Sequence, residues 1–411
     1  MKILHTVQSY LPSQHGMSEV VRQISERLVK MGHEVVVATS SEPNRHSKVI
    51  NGVQVEEFDV SGNWVDGIKG EIGRYCQFLL ESRFDIVTNF AAQQWATDLA
   101  LPLLSRIKGK KVFVPTGFSG LYLPKFQQYF ERMKVWLKEY DKVVYLSDDY
   151  RDVNFSRQLG LQNGVLIPNG ASEEEFSIRK DLGFKKRLRI PENDLLILHV
   201  SGYVGGKGHM DAIRIFQKAK IKDATLLFVS PDFGPKFGKP TRVNLTKIKS
   251  IAKGLLKPDQ ASELDKMKSI HRLQKIGLYK NIHFLELPRT EVIQAYKNAD
   301  LFLFPSHIEC SPIVLFECMA AKTPFLVTDV GNAREIIKWS GAGEILPTYS
   351  FQEGYGLCHP DIKMSAQKLR SLLLDYPSRE KMATSGYAAW KEKFTWKIIA
   401  DEYSRLYREI L

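Results

Sequence analysis

Residues 18–40, SEVVRQISERLVKMGHEVVVATS, change from a helical pattern to a strand pattern at a single glycine. Apolar residues in the first part recur every three or four positions, which predicts an amphipathic helix that begins at about Ser18. Gly32 ends this helix, and EVVVATS at residues 34–40 predicts a buried strand. KILHTV at residues 2–7 predicts another strand before the helix. Together they predict a β-α-β unit with parallel strands and a covering helix.

The same alternation continues along the chain and restarts after a polar connector. Apolar runs that end in polar or glycine-rich turns include FDIVTNF, KKVFVPTGF, DKVVYLSDDY and NGVLIPNGA. A second series begins with LLILHVSGYVGGKGHMDAIRIFQKAK, residues 195–220, and continues through NIHFLEL, ADLFLFPS, TPFLVTD and GEILPT. We therefore predict an α/β fold of two doubly wound parallel sheets, joined near residues 169–177. A ligand is expected in a cleft between the halves, beyond the carboxyl ends of the strands.

The bulk composition is ordinary for a soluble globular protein. The chain has 411 residues, enough for two or three domains, and no apolar run long enough to cross a bilayer. The N-terminus does not resemble a signal peptide. The four cysteines show neither a disulfide framework nor the spacing of a zinc site. These features favour a reducing, cytoplasmic location.

The positive charge of the chain is concentrated in one segment. Residues 232–280 carry twelve Lys and Arg residues against four Asp and Glu residues, which is a net +8 of the chain's +12. Such a segment could face phosphates, an anionic membrane or nucleic acid. A solvated insertion that keeps the protein soluble explains the charge equally well.

The turn SGYVGGKGH, residues 201–209, lies between a predicted strand and a predicted helix. Its glycines let backbone N–H groups approach an anion, and the helix start adds the positive end of a dipole. Lys207 adds a mobile positive charge for a phosphate. The turn matches neither the Walker A nor the GxGxxG pattern, so a tight turn with an exposed lysine stays an alternative. Gly16, before the first helix, is a weaker signal, for which a plain loop glycine is the better interpretation.

Residues 307–325, HIECSPIVLFECMAAKTPF, place Glu309 and Glu317 in an apolar segment. Ser311 is the expected N-cap of a helix and Pro312 its first residue, so Glu309 precedes the helix and Glu317 lies inside it, close to two turns further on than Glu309. The first helical amides can bind an anion, and a carboxylate can bind a ribose diol. A sugar nucleotide therefore fits the pattern. The alternative is two unrelated surface acids, although a buried Glu317 without a partner would be costly.

Several segments, in the right order, resemble the retaining glycosyltransferases of family 4, also called glycosyl transferases group 1. GMSEVVRQISERLVKMGHEVVVAT is similar to their opening helix and strand, LIPNGASEEEF to their hinge, and ILHVSGYVGGKGH to their phosphate-binding turn. ADLFLFPSHIECSPIVLFECMAAKTPFLVTDVGNAREII is similar to the E-x7-E signature run, and FTWKIIADEYSRLYREIL to the closing helix. The resemblance implies the GT-B fold of two facing Rossmann-like domains. Residues 1–175 would form the acceptor-side domain, residues 176–390 the donor domain, and residues 391–411 a helix that returns to the first domain.

The resemblance also implies a role for each matching residue. Lys207 would neutralise the leaving diphosphate, and Glu309 would contact hydroxyls of the transferred sugar. Glu317 would hold the ribose, Gly16 would leave room for the β-phosphate, and residues 284–287 would line the base. The implied donor-binding residues are Gly16, Gly202, Tyr203, Glu286, Arg289, Ser311, Pro312, Ile313, Val314 and Glu317, and the implied acceptor-side residues are Thr116 and Gly117. The departing phosphate would take the acceptor's proton on the same face of the sugar, without a metal, which agrees with the missing DxD-type pair.

Two positions depart from the family pattern. Tyr203 stands where the phosphate turn usually has an arginine, and Thr116 precedes Gly117 where a histidine is frequent. Each departure removes a polar contact near the leaving group or the anomeric carbon. Arg289 or Arg242 could replace the lost charge.

The resemblance therefore predicts a retaining transfer from a UDP-sugar or GDP-sugar to an acceptor hydroxyl, in polysaccharide, lipopolysaccharide or glycolipid synthesis. No cofactor or metal is implied. The expected partners are a carbohydrate or lipid-linked acceptor and an anionic membrane contacted through residues 232–280, with no nucleic acid. The expected location is the cytoplasm, with peripheral contact at the inner face of the membrane. A non-catalytic sugar-nucleotide binder, or another GT-B enzyme such as an epimerase, is the alternative.

Overall fold

The computed structural model describes residues 1–13, 15–203, 205–233, 266–271, 279–349 and 357–411. Most of the basic segment 232–280, including Arg242, lies outside the described residues, so its membrane contact stays a prediction. None of the described helices has the length and apolarity needed to cross a membrane.

The first half contains an eight-stranded sheet in the order β10-β9-β8-β7-β1-β2-β4-β3, parallel except for the β3–β4 pair. The strands are β1 (Lys2–Thr6), β2 (Glu34–Ser40), β3 (Val49–Ile50), β4 (Val53–Phe58), β7 (Ile86–Phe90), β8 (Lys110–Val114), β9 (Lys142–Tyr145) and β10 (Gly164–Leu166). A separate antiparallel ribbon consists of β5 (Val60–Asn63) and β6 (Gly67–Gly70). The predicted opening unit is confirmed, since Lys2 of β1 pairs in parallel with Glu34 of β2.

The second half contains a fully parallel sheet in the order β13-β12-β11-β14-β15-β16. Its strands are β11 (Leu195–Val200), β12 (Ala224–Val229), β13 (Ile282–Leu285), β14 (Leu301–Phe304), β15 (Phe325–Val327) and β16 (Gly343–Ile345). This is the 3-2-1-4-5-6 order of a dinucleotide-binding sheet, and its switch point lies between β11 and β14. The glycine turn after β11 and the loop after β14 therefore meet at the same crevice.

The helices cover both sheets. In the first half they are α1 (Gly16–Lys30), α2 (Ile72–Glu81), α3 (Trp95–Asp98), α4 (Gln127–Trp136) and α5 (Arg151–Gln158). The later ones are α6 (Glu173–Phe176), α7 (Phe184–Arg187), α8 (His209–Ala219), α9 (Arg289–Asn298), α10 (Ile313–Ala321), α11 (Ala333–Ser340), α12 (Ile362–Leu374), α13 (Tyr376–Lys393) and α14 (Trp396–Ile410). Helix α1 begins two residues before the predicted start, because the Ser18 hydroxyl accepts a hydrogen bond of 2.8 Å from the His15 N–H and stabilises the earlier turn.

The last helix of the chain packs against the first half. Trp396, Ile399 and Tyr407 of α14 are buried in the same apolar core as Ile3 of β1. The Tyr407 hydroxyl lies 2.8 Å from the Thr88 hydroxyl on β7. Helix α14 therefore ties the end of the chain to its beginning, while the exact domain boundaries at 175/176 and 390/391 stay a prediction.

Candidate functional site

A cleft with a volume of about 410 Å³ lies where the carboxyl ends of the two sheets face each other. The first half contributes His15, Gly16 and Glu19, from the loop after β1 and the start of α1. The second half contributes the ends of β11, β12 and β13 and the first two turns of α10. Of the predicted donor-binding residues, the cleft is lined by Gly16, Gly202, Glu286, Arg289, Ile313, Val314 and Glu317. The other three, Tyr203, Ser311 and Pro312, are not part of its lining.

The tip of α10 points into this cleft. Helix α10 begins at Ile313, with Pro312 as its N-cap in an extended conformation, so the prediction of Ser311 as N-cap and Pro312 as first helical residue is wrong. Ser311 is engaged elsewhere, because its hydroxyl accepts a 3.1 Å bond from Asn332 and its carbonyl a 2.9 Å bond from Asn169. A Cβ at Gly16 would lie 3.9 Å from the Ile313 side chain, so α1 begins directly opposite the α10 tip.

Glu317 lies on α10, only 5% exposed, and is paired with Arg289. The Arg289 Nη2 donates to Glu317 Oε1 at 2.5 Å and to Glu175 Oε2 at 2.7 Å. Burial by itself lowers the pKa of Arg289, but the two carboxylates outweigh it and raise the pKa above its usual value. The buried charge of Glu317 is therefore compensated, as a carboxylate in an apolar helix requires.

The pair belongs to a longer row of alternating charges that crosses between the two halves. Glu175, on α6, also accepts a 3.0 Å bond from Arg22 of α1. Arg22 in turn donates to Glu19, at the rim of the cleft, at 2.7 Å. Burial raises the pKa of Glu19, but the bonds from Arg22 and Gln23 and the charges of Arg22 and Arg289 together more than reverse this and lower it. Sequence analysis missed Glu19, Arg22 and Glu175, although the three consecutive glutamates after the hinge were a visible signal.

Glu309 and Lys207 form a second ion pair, outside the lining of the cleft. Lys207 Nζ lies 2.7 Å from Glu309 Oε1, which also accepts a 2.7 Å bond from the Ser306 hydroxyl. The Glu309 side chain is 11% exposed and that of Lys207 is 26% exposed. The glycine turn approaches this loop closely, because a Cβ at Gly208 would lie 1.9 Å from the Pro305 carbonyl oxygen. The structure thus places the predicted phosphate-binding lysine beside the predicted sugar-binding carboxylate.

Two predicted residues take other positions. The ring of Tyr203 packs against His209, with ring centroids 5.1 Å apart, so it lies beside α8 and away from the cleft lining. The prediction that Phe284 lines the base is wrong, because Phe284 is 3% exposed and stacks on Phe228 in the core. Glu286 and Leu287, which follow the end of β13, line the cleft wall instead.

The predicted acceptor-side residues Thr116 and Gly117 form a strained turn in the first half that faces the loop of Glu309. Both have positive φ, 60° and 95°, and a Cβ at Gly117 would lie 2.8 Å from the Cβ of Cys310. The Gly117 N–H donates a 2.8 Å bond to Asp152. Burial raises the pKa of Asp152 to about 6, against the opposing effect of its backbone hydrogen bonds. A glycine is required here because the two halves approach so closely.

A second contact between the halves lies behind the α10 tip. Glu335 of α11 accepts hydrogen bonds from the backbone N–H groups of Asp148, at 3.1 Å, and Asp149, at 2.8 Å. Asn332 donates a 2.7 Å bond to the Leu146 carbonyl. These contacts hold the carboxyl end of β9 against the second half, and sequence analysis did not single out either residue.

One group of side chains among the described residues could hold a metal ion. The ligand atoms of Asp211, His307 and His359 all lie within 4.8 Å of one another. The group lies beside the glycine turn and contributes nothing to the lining of the cleft. The prediction that no metal takes part in the reaction was based on the absence of a DxD-type acidic pair from the sequence. The group of Asp211, His307 and His359 does not test that prediction.

Comparisons with known proteins agree with this arrangement. Residues 183–389 match the family of glycosyl transferases group 1, and residues 15–175 match glycosyltransferase family 4. The chain belongs to the group 1 glycosyltransferases. The N-acetyl-alpha-D-glucosaminyl L-malate synthase of Bacillus anthracis is 22% identical over 97% of this chain and 95% of its own length. An uncharacterised glycosyltransferase of Methanocaldococcus jannaschii is 22% identical over 99% of this chain and 98% of its own length.

Solved structures confirm the predicted GT-B fold of this glycosyltransferase. The sucrose-phosphate synthase of Thermosynechococcus elongatus superposes with a TM-score of 0.72, at 17% identity, over 100% of this chain and 98% of that one. HepE of Anabaena, solved with UDP and glucose, superposes with a TM-score of 0.68, at 14% identity, over the full length of both chains. At such identities the likeness establishes the fold alone.

Proposed function

We propose that this glycosyltransferase transfers a sugar from a nucleotide-diphosphate sugar to an acceptor hydroxyl, with retention of configuration and without a catalytic metal. The observation that carries the proposal is the α10 tip, which enters the cleft with Glu317 in its wall, while Glu309 in the loop before the helix pairs with Lys207. A diphosphate needs a positive helix end, and the two sugars that flank it need acceptors for their hydroxyl groups.

The nucleotide would bind on the Glu317 side of the tip. Arg289 bonds Oε1 of Glu317 and holds the carboxylate in place, so we assign Arg289 a positioning role toward the ribose diol. Tyr203 stands where the phosphate turn of the family usually has an arginine. Arg289 is a poor substitute for that arginine, because its guanidinium is already shared by two carboxylates. The base would lie against Glu286 and Leu287. The nucleotide of the donor could be either UDP or GDP.

The diphosphate would lie between the α10 tip and Gly16, whose missing side chain leaves space across the cleft. As negative charge develops on the leaving diphosphate, the Lys207 ammonium group would shift from Glu309 toward the diphosphate and stabilise that charge. Glu309 would then accept hydrogen bonds from the transferred sugar, while Ser306 continues to orient it. The leaving phosphate would take the proton of the acceptor hydroxyl, which attacks from the same face.

The acceptor would approach from the first half, past the turn of Thr116 and Gly117, which abuts the loop of Glu309. A carbohydrate or lipid-linked acceptor in polysaccharide, lipopolysaccharide or glycolipid synthesis is proposed. The capsular polysaccharide glycosyltransferase CapM of Staphylococcus aureus supports this class, at 21% identity over 75% of this chain and 68% of its own length. The UDP and glucose bound to HepE support a nucleotide-sugar donor. A cytoplasmic location, with contact at the inner membrane face, belongs to the same proposal.

The test begins with a thermal-shift screen of UDP- and GDP-sugars, because a ligand of the native state raises its apparent stability. The stabilising donor is then supplied in labelled form with chelator present, and the anomeric configuration of the product is determined by NMR. Glu317→Gln should abolish donor stabilisation, while Glu392→Ala, a 70% exposed carboxylate on α13, should not. Donor binding without consumption, with any acceptor, would favour a non-catalytic binder, and an inverted product would refute retention.

A further inference from the structure

Three segments of the donor half converge beside the phosphate turn and each contributes one side chain to a small polar cluster. Asp211 lies in the first turn of α8, His307 in the loop after β14, and His359 in the segment before α12. Their positions in the chain are far apart, so the cluster exists only in the folded protein. It lies outside the cleft lining and does not depend on the proposed transfer reaction.

The three side chains lie close enough to share a cation. His307 Nε2 lies 2.7 Å from Asp211 Oδ2, and the rings of His307 and His359 have centroids 4.2 Å apart. The other oxygen of Asp211, Oδ1, accepts a 2.9 Å bond from Arg214, a half-exposed side chain. This bond orients the carboxylate so that Oδ2 is the oxygen that faces the imidazoles.

The backbone around the cluster is held by hydrogen bonds. The His307 N–H donates a 2.7 Å bond to the Gly206 carbonyl, and the His307 carbonyl accepts a 2.8 Å bond from the Cys358 N–H. The His359 carbonyl accepts a 3.1 Å bond from the Tyr349 N–H. Ligands on fixed backbone lose little freedom when an ion binds, and such preorganisation is what distinguishes a metal site from a chance group of polar side chains.

The ligand types select the class of ion. Two neutral imidazoles and one carboxylate suit Zn²⁺ and similar first-row transition ions, whereas Mg²⁺ and Ca²⁺ prefer oxygen ligands alone. Zinc sites with three protein ligands of this kind complete their coordination with water, and the partly open position of His359 leaves room for it. Each histidine must bind in its neutral form, so the ion would replace the proton between His307 and Asp211.

We propose that Asp211, His307 and His359 form a Zn²⁺ site that cross-links the start of α8, the loop of Glu309 and the segment before α12. The ion would brace the turn of residues 205–208, to which His307 is hydrogen-bonded through Gly206. Its role is structural support of the donor half, distinct from any metal at the reacting atoms.

The test uses the full chain with ZnCl2 as the only probe. After dialysis against a weak chelator, the wild type should retain one zinc per chain by elemental analysis, and its melting temperature should rise with zinc concentration. His359→Gln and the isosteric Asp211→Asn should each weaken zinc binding by about tenfold or more, as even the loss of an outer-shell partner does in zinc proteins. His46→Gln, which removes an exposed histidine elsewhere on the surface, should bind zinc as the wild type does.

Circular dichroism without zinc identifies any variant that fails to fold. Because His359 is exposed, we expect His359→Gln to fold normally, and this variant is therefore the decisive one. X-ray absorption of the zinc-loaded wild type should show two imidazole ligands. The proposal is overturned if the wild type keeps no zinc, or if His359→Gln and Asp211→Asn, both folded, bind zinc as tightly as His46→Gln does.

Discussion

The pair of Arg289 and Glu317 allows the sharpest quantitative test of the site. The Glu317 side chain is 7% exposed and lies 2.5 Å from the guanidinium of Arg289, which is 35% exposed. Arg289→Ala leaves the buried carboxylate without its cation, and Glu317→Gln removes the charge with little change in shape. The double variant removes both, so the four proteins form a double-mutant cycle.

Loss of one partner of a buried ion pair costs about 3–5 kcal/mol of stability. Because about a third of the Arg289 side chain is exposed to solvent, we expect a loss at the lower end of this range, about 3 kcal/mol. Since the double variant leaves no unpaired charge, we expect a coupling energy of about 2 kcal/mol. The surface pair Lys134–Glu131 has a comparable N–O distance of 2.7 Å, but its side chains are 42% and 61% exposed. Its coupling should be about 0.3–0.5 kcal/mol.

Urea denaturation of both cycles gives the two coupling energies from the unfolding midpoints. Isothermal titration with UDP and with GDP then measures the functional consequence. Glu317→Gln should weaken binding of the preferred nucleotide by about 10–100-fold, because hydrogen bonds to a charged group contribute about 1.5–3 kcal/mol. Arg289→Ala should weaken it by about tenfold, through the misplaced carboxylate. A coupling no larger than that of the surface pair, with unchanged nucleotide affinity, would refute the assigned roles.

Three further predictions concern the loops around the α10 tip. Lys207→Ala should lower kcat by about 10²–10³-fold, since it removes charge stabilisation of the leaving group, and steady-state assays with the preferred donor will measure this. Gly208→Ala should destabilise the fold by at least about 1–2 kcal/mol in urea denaturation, because Gly208 has a φ of 70° and its new Cβ would collide with the Pro305 carbonyl. Asp152→Asn should change the pH dependence of stability. The pKa of Asp152 rises from 3.8 to about 6 on folding, so its stabilising effect is present below pH 3.8 and is lost as the pH rises through about 6. The stability of the wild type relative to the variant should fall by roughly 2 kcal/mol between pH 4 and pH 7.

The lysine and glycine predictions each have a matched control variant. Lys222→Ala, at an exposed position, should leave kcat unchanged. Gly205→Ala, with no atom within 4 Å of its new Cβ, should change stability by no more than about 0.5 kcal/mol. Equal effects of the two glycine variants, or parallel pH curves for the wild type and Asp152→Asn, would contradict the corresponding argument.

The local elements could be predicted because they follow from periodicity and capping residues. The opening strand, helix and strand, the helix that carries Glu317 and the glycine turn of Lys207 lie where their patterns place them. The errors at Ser311 and Phe284 have a common cause. Each residue was assigned from its neighbours in the chain, whereas Asn332 and Asn169 engage Ser311, and Phe228 buries Phe284.

By itself the sequence determined the fold class and the segments that reach the cleft, because burial and turn chemistry repeat within short windows of the chain. Its motifs resembled those of the family to which the chain belongs. Only the tertiary structure decided which charges meet. Lys207 and Glu309 are separated by 102 positions, and the row from Glu19 to Glu317 crosses between the halves. Which side chains become neighbours depends on the order of strands in each sheet and on how the sheets face each other. No local pattern encodes that order, because hydrogen bonding between strands is the same whichever strands are paired.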